Sequence, residues 1–169
     1  MKIKFLSLIA LAAIAFSCSD DDDSSSNSTN HAGTYFLTAF TIAEPQDLNG
    51  DGTSSSNILN ETDCFEGGFI QLNSDNTFTA SSEGMDITLT NEGVEVVECY
   101  DDGNFSGTWS ASGNQITMTY SSDGDMYTDT FNISNNSITY TVEDGEVVGM
   151  SGGNPVYITT DISIVYTKQ

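Results

Sequence analysis

Apolar and polar residues alternate with a period of two through much of the chain beyond residue 33. Ile116, Met118 and Tyr120 alternate with Thr117 and Thr119, and Ile138, Tyr140 and Val142 alternate with Thr139 and Thr141. Val156, Ile158, Thr160, Ile162, Ile164 and Tyr166 share one face of a final strand. Neighbouring side chains of a strand point to opposite faces, so this pattern describes half-buried antiparallel strands with a Thr-rich outer surface. Further strands are predicted at about 34–42, 67–73, 77–82, 85–90, 94–100, 105–111 and 126–133. Turn-forming clusters separate them: Ser74-Asp75-Asn76, Asp101-Asp102-Gly103-Asn104, Ser112-Gly113-Asn114, Ser122-Asp123-Gly124-Asp125 and Ser134-Asn135-Asn136-Ser137. No stretch carries helical periodicity of useful length. Evenly spaced short strands joined by hairpin turns predict an all-β fold, a small antiparallel up-and-down barrel of about 8–10 strands or a β-sandwich. The segment 43–63 breaks the rhythm, and loops of that length are usually functional or loose.

The first residues follow a different rule. Lys2 and Lys4 make a short basic region, Phe5 to Phe16 is apolar except for Ser7, and Ser17-Cys18 follows. The apolar run is shorter than the roughly 20 residues a membrane-spanning helix requires. A basic start, a short apolar stretch and a small residue before the cut read as a secretory signal over 1–17. A cysteine directly after that small residue marks Cys18 as the candidate for lipidation. Ala15-Phe16-Ser17 departs from the usual lipoprotein pattern, which carries Leu three residues before the Cys and a small residue where Phe16 stands. From Ser19 to His31 nothing is apolar, so 18–32 is expected to be a lipidated Cys followed by a disordered acidic tether. Residues 33–169 then form one domain. The Asp20–Asp23 run behind Cys18 resembles the export tag that sends lipoproteins of Bacteroidetes-type bacteria to the outer leaflet of the outer membrane. The implied location is the outer membrane, lipid-anchored and facing the cell surface, or alternatively facing the periplasm.

Charge narrows the partners. The chain has 25 acidic residues against three basic ones and a formal net charge of −22. Two of the three bases, Lys2 and Lys4, leave with the signal, so Lys168 alone remains, and there is no arginine. Such a chain cannot neutralise phosphates, which excludes nucleic acid as a partner. It also avoids anionic lipid surfaces unless tethered, leaving the membrane, through the lipid, and a small hydrophobic ligand or a protein as the expected partners.

With Cys18 acylated, Cys64 and Cys99 remain as an even pair in an oxidising compartment, where disulfides persist. A metal site or a nucleophilic thiol would need partners, and the single histidine, His31, sits in the tether. A Cys64–Cys99 bridge is the expectation.

One motif in the long loop carries possible metal chemistry. Asp47-Leu48-Asn49-Gly50-Asp51-Gly52-Thr53 places oxygen donors at alternate positions before a glycine, like the first half of an EF-hand loop. Asp47, Asn49, Asp51 and Thr53 are the candidate calcium ligands. The pattern then breaks: position twelve is Ile58 rather than a bidentate Glu, and Glu61 or Asp63 would have to fold back instead. A turn without metal is the competing reading. No cofactor is required, and calcium would be structural.

The aromatic residues, among them Tyr35, Phe40, Phe78, Trp109, Tyr120 and Tyr166, are expected mainly to fill the core, with some available to wall a pocket for an apolar molecule. Catalysis has little to draw on. A Ser or Thr nucleophile needs a base, the domain has no histidine, and no carboxylate pair stands out by spacing. No catalytic residue is assigned, no ligand-binding residue is identifiable, and the chain is not expected to be an enzyme.

Gly33-Thr34-Tyr35-Phe36-Leu37 stands where one family has an opening Gly-x-Trp-x-Leu strand. Asp47-Leu48-Asn49-Gly50-Asp51-Gly52 precedes Glu61-Thr62-Asp63-Cys64; Phe69-Ile70-Gln71-Leu72 precedes Asp75-Asn76-Thr77-Phe78; and Cys99 precedes Gly107-Thr108-Trp109 and Asn114-Gln115-Ile116-Thr117. In these residues the chain resembles the lipocalin-like domain lipoproteins of Bacteroidetes-type bacteria, with Tyr35 in place of Trp. The resemblance implies a small antiparallel β-barrel bridged by Cys64–Cys99. It implies a binding module for a small hydrophobic ligand. The alternative is a structural or adhesive surface protein with a calcium-stabilised loop and a packed interior.

Overall fold

The alternating runs become long strands. The computed structural model describes residues 31–169; the expected signal segment 1–17, Cys18 and the expected tether as far as Asn30 lie outside the described residues. The strands are β1 (Gly33–Gln46), β2 (Ser55–Asn57), β3 (Phe69–Leu72), β4 (Thr77–Leu89), β5 (Glu95–Ser112), β6 (Gln115–Ser122), β7 (Asp125–Ser134), β8 (Ser137–Ser151) and β9 (Asn154–Lys168). A single 3-10 turn covers Ile58–Asn60, and no α-helix is present among the described residues.

Neighbouring strands are antiparallel and follow chain order from β3 to β9, while β1 pairs with both β3 and β9. The result is a closed eight-stranded up-and-down barrel. The closing seam runs from Tyr35↔Lys168 to Ile42↔Ile162. Short β2 lies farther along the β3 edge of β1, through Thr41↔Asn57 and Gln46↔Ser55. Tight turns join the strands. At Asp123-Gly124 and Gly152-Gly153 both central residues have positive φ, the geometry that matches the right-handed twist of a hairpin.

The register gives the barrel two different ends. Gly33, where the chain enters, lies at the same end as the turns 73–76, 113–114 and 135–136. The turns 90–94, 123–124 and 152–153 lie at the other end, with the 47–54 loop. Tyr35, Leu72, Phe78, Ile116, Met118 and Ile138 anchor a core cluster near the entry end. Trp109 closes over that cluster, and its indole N–H donates to the Asn73 carbonyl at 3.0 Å. A second cluster contains Phe40, Ile42, Ile58, Val147 and Ile162, with Phe65, Met85 and Ile164 packed against it.

Two boundaries read from the sequence are corrected. The expected strands 77–82 and 85–90 are one strand, β4, and 94–100 and 105–111 are one strand, β5. Asp101-Asp102-Gly103-Asn104 therefore does not reverse the chain. Ser81 pairs with Asn104 and Glu83 with Asp101, so two residues of β5 face one of β4. Gly103 takes φ +81° and donates its N–H to Asp101 Oδ1 at 2.8 Å. Turn-forming residues here make a bulge, which bends a strand and re-aims its side chains without ending it. The loop assigned to 43–63 is also partly ordered, since β1 continues to Gln46 and β2 and the 3-10 turn occupy 55–60.

The Cys64–Cys99 bridge is present, with Cα atoms 5.0 Å apart. It ties the segment entering β3 to the first part of β5. Closing a loop across a separation of 35 residues restricts the unfolded chain. In the chain-entropy treatment that is worth about 3–4 kcal/mol. Urea unfolding of the Cys64→Ser/Cys99→Ser double variant is expected to show that loss with the native far-UV spectrum retained. An unchanged midpoint would contradict it.

Candidate functional site

A half-open cavity lies beside the second core cluster. It measures about 280 Å³ and is walled by apolar side chains including Leu37, Phe40, Phe65, Met85, Val147 and Ile164. Its residues come from β1, β4, β5, β8 and β9 and from the segment before β3, so it lies within the barrel between opposite walls. Two bulges shape it. The one in β5, at Asp102-Gly103, faces β4 just before Glu83, and Glu83, Gly84 and Met85 all line the cavity. The one in β8 lies between Val142 and Gly145, after which Val147 and Val148 are both buried in the wall. A methyl group at Gly84 would meet the Tyr100 ring, which would have to move aside.

Polar groups share this wall with the apolar ones. Glu83 Oε2 is fully enclosed and has no hydrogen-bond partner. Gly67 leaves room for the carboxylate, since a Cβ at that position would meet Glu83 Oε1. Tyr166 stands beside it. Burial, reinforced by the Glu83 charge, pushes the Tyr166 phenol up to about 12, so its hydroxyl stays protonated and able to donate at any ordinary pH. Glu146 and Tyr100 complete the polar part of the wall, and no lysine, arginine or histidine lines it.

A second tyrosine–carboxylate group lies farther round the barrel. Tyr120 donates to Asp129 Oδ2 at 2.9 Å. Burial and then that bond to Asp129 hold the Tyr120 phenol up at about 12. Tyr140 is raised as well, by burial first and then by the Asp129 charge. Phe105 and Tyr127 pack on Tyr120 with ring centroids 4.9 and 5.7 Å away. Asp129 has a partner here, whereas the enclosed oxygen of Glu83 has none.

The loop residues singled out for calcium form a tight, self-bonded turn. Asp47 Oδ2 accepts from Gly52 N at 3.0 Å, Asn49 Oδ1 from Asp51 N at 2.9 Å, and Asp51 Oδ1 from Thr53 N at 2.7 Å. Glu61 does fold back: it is buried, and its Oε2 accepts from Leu48 N at 3.1 Å. Asp47 Oδ1 is enclosed without a partner. Among the described residues, no three His, Cys, Asp or Glu side chains stand close enough together to hold a metal ion.

Of the residues named from sequence, Cys64 and Cys99 meet, Glu61 reaches the 47–53 loop, and Cys18 lies outside the described residues. Glu83 and Tyr166 were not singled out as site residues. Tyr166 could be placed on the inward face of its strand by parity. Glu83 could not, because Glu83-Gly84 reads as a break between two strands and only the bulge turns it toward the interior.

Comparison with protein families gives a match to the lipocalin-like domain over residues 32–140, a family generally non-catalytic. Comparison with the curated proteins and with solved structures gives no match. The matched stretch runs from the start of β1 into β8, and the remaining strand, β9, closes the same barrel. With well over half of the chain covered and the barrel complete, the chain belongs to the lipocalin-like domain family.

Proposed function

We propose that this protein is a membrane-anchored lipoprotein whose barrel binds a small hydrophobic molecule. The cavity of about 280 Å³ beside the second core cluster carries the reading. It is just smaller than the roughly 300–1,000 Å³ of sites for drug-sized ligands, which suits a single short chain or ring. The anchor rests on sequence: Lys2, Lys4, the apolar run to Phe16 and Ser17-Cys18. Cys18 takes the lipid, and the Asp20–Asp23 run favours the cell-surface side of the outer membrane, in the manner of Bacteroidetes-type lipoproteins. The protein acts by binding rather than by catalysis.

A second reading, a surface protein with a calcium-stabilised loop, is favoured by two details. Asp47 Oδ1 has no partner, and the Glu61 carboxylate is buried beside the same loop. Calcium would draw Asp47, Asn49, Asp51, the Thr53 backbone and Glu61 together, stiffening the loop without taking part in chemistry.

Three measurements separate these readings. Calorimetric titration of the 31–169 domain with octanol is expected to show one saturable site, lost in Met85→Trp, which fills the cavity; no binding ends the carriage reading. Titration with Ca²⁺ is expected to release heat in the native domain and none in Asp47→Ala/Asp51→Ala, and silence in both proteins ends the calcium reading. Radiolabelled fatty acid fed to cells is expected to mark the native chain but not Cys18→Ser. An unlabelled native chain rules out the anchor.

A further inference from the structure

We propose that the outer part of β7, from Met126 to Thr130, is a docking edge that takes an extended basic segment of a partner protein as an added strand. Such docking does not depend on anything carried inside the barrel.

On one side β7 pairs with β6 from Asp125 to Asn132. On the other its ladder with β8 covers only Asn132↔Thr139, Ile133↔Ile138 and Ser134↔Ser137. Beyond Thr139, β8 follows β9 instead. The Tyr140 ring packs on Phe131, with centroids 5.0 Å apart, where the two strands part. Backbone groups of an antiparallel strand point alternately to its two neighbours. The Ile133 N–H donates to the Asn114 carbonyl, just before β6, at 2.7 Å. By the same alternation Phe131, Asp129 and Tyr127 face β6. Met126, Thr128 and Thr130 therefore turn their N–H and C=O groups away from β6, and no strand among the described residues meets them. All three are exposed.

Unpaired edges are ordinarily guarded by lysine, proline or a bulge. Met126-Tyr127-Thr128-Asp129-Thr130 has neither lysine nor proline, its register on β6 is unbroken, and its tyrosine and threonines favour strand pairing. Met126 and Tyr127, 68 % and 46 % exposed, add apolar surface on the two faces of this edge. Charge selects the occupant. Asp125 begins the edge, and continuing the β7–β8 register outward sets Glu143 and Asp144 of β8 level with Thr128 and Tyr127. All three acids are exposed. The one lysine of the described residues, Lys168, pairs with Tyr35 at the opposite end of the barrel, and there is no arginine. A second copy of the chain would set these acids against themselves. A strand bearing lysine or arginine meets them with opposite charge while its backbone completes the ladder.

The probe is an acetylated heptapeptide of alternating lysine and threonine. Calorimetric titration into the 31–169 domain at low salt is expected to show one site, at least about tenfold tighter than for the same peptide with glutamate in place of lysine. Methylating every amide nitrogen of the basic peptide keeps its charge and removes its donors; a loss of at least about tenfold is expected. Thr128→Pro withdraws an N–H from the free edge alone, leaving the β6 ladder intact. It is expected to weaken the basic peptide by a similar factor. Glu92→Gln, at the exposed β4–β5 turn, is expected to leave the affinity unchanged, which separates the edge from general attraction to an acidic surface. The proposal is overturned if the basic peptide does not bind, if the methylated or acidic peptide binds as well, or if Thr128→Pro changes nothing. A domain that sediments as a dimer, and as a monomer in Thr128→Pro, would also overturn it, since a second copy would then fill the edge. Should Thr128→Pro not fold, the three peptides on the native domain still decide the matter.

Discussion

The hydrogen-bonded seam between the first and last strands holds everything else in place. Between Tyr35↔Lys168 and Ile42↔Ile162 the two ends of the domain become neighbours, and the sheet no longer has a long free edge. Thr38 reinforces the irregular point of this seam, bonding to the Val165 carbonyl at 3.2 Å and the Thr167 hydroxyl at 2.8 Å. Only once the sheet is closed does it have an inside, and only then can Phe40 of β1 and Met85 of β4 face one another across a cavity. The acidic surface works against compactness by self-repulsion. The closed ladder, two apolar clusters and the disulfide oppose it.

The alternation of Ile116, Met118 and Tyr120 against threonines was enough to show β-structure, and the even spacing of turns was enough to suggest an up-and-down barrel. Strand ends were less legible. Asp101-Asp102-Gly103-Asn104 contains what a reversing turn needs, yet those residues make a bulge. What decides between the two outcomes is whether Tyr100 and Phe105 find partners on the same neighbouring strand. They do, in Gly84 and Ala80, and no local pattern reveals this.

The same limit hid the site. A cavity is a relation between strands remote in sequence, here β1, β4, β5, β8 and β9. Glu83 looks like one more acid among 25 until the bulge carries it to the wall. The cysteines were legible because, with Cys18 of the first segment set aside, Cys64 and Cys99 are the two that remain. The 47–53 loop was legible because its turn chemistry is local: Asp47, Asn49 and Asp51 bond within a few residues of themselves. That Glu61 would reach Leu48 depended on the path of the intervening chain.

The place of Lys168 has a consequence for resistance to proteolysis. Trypsin-like proteases cut after a basic side chain that fills an acidic specificity pocket. The described residues offer them one such bond, after Lys168 at the very end of β9, and no arginine. Cleavage there removes only Gln169 and leaves every strand pairing of the barrel intact. A barrel with so few cations gives such enzymes almost nowhere to cut.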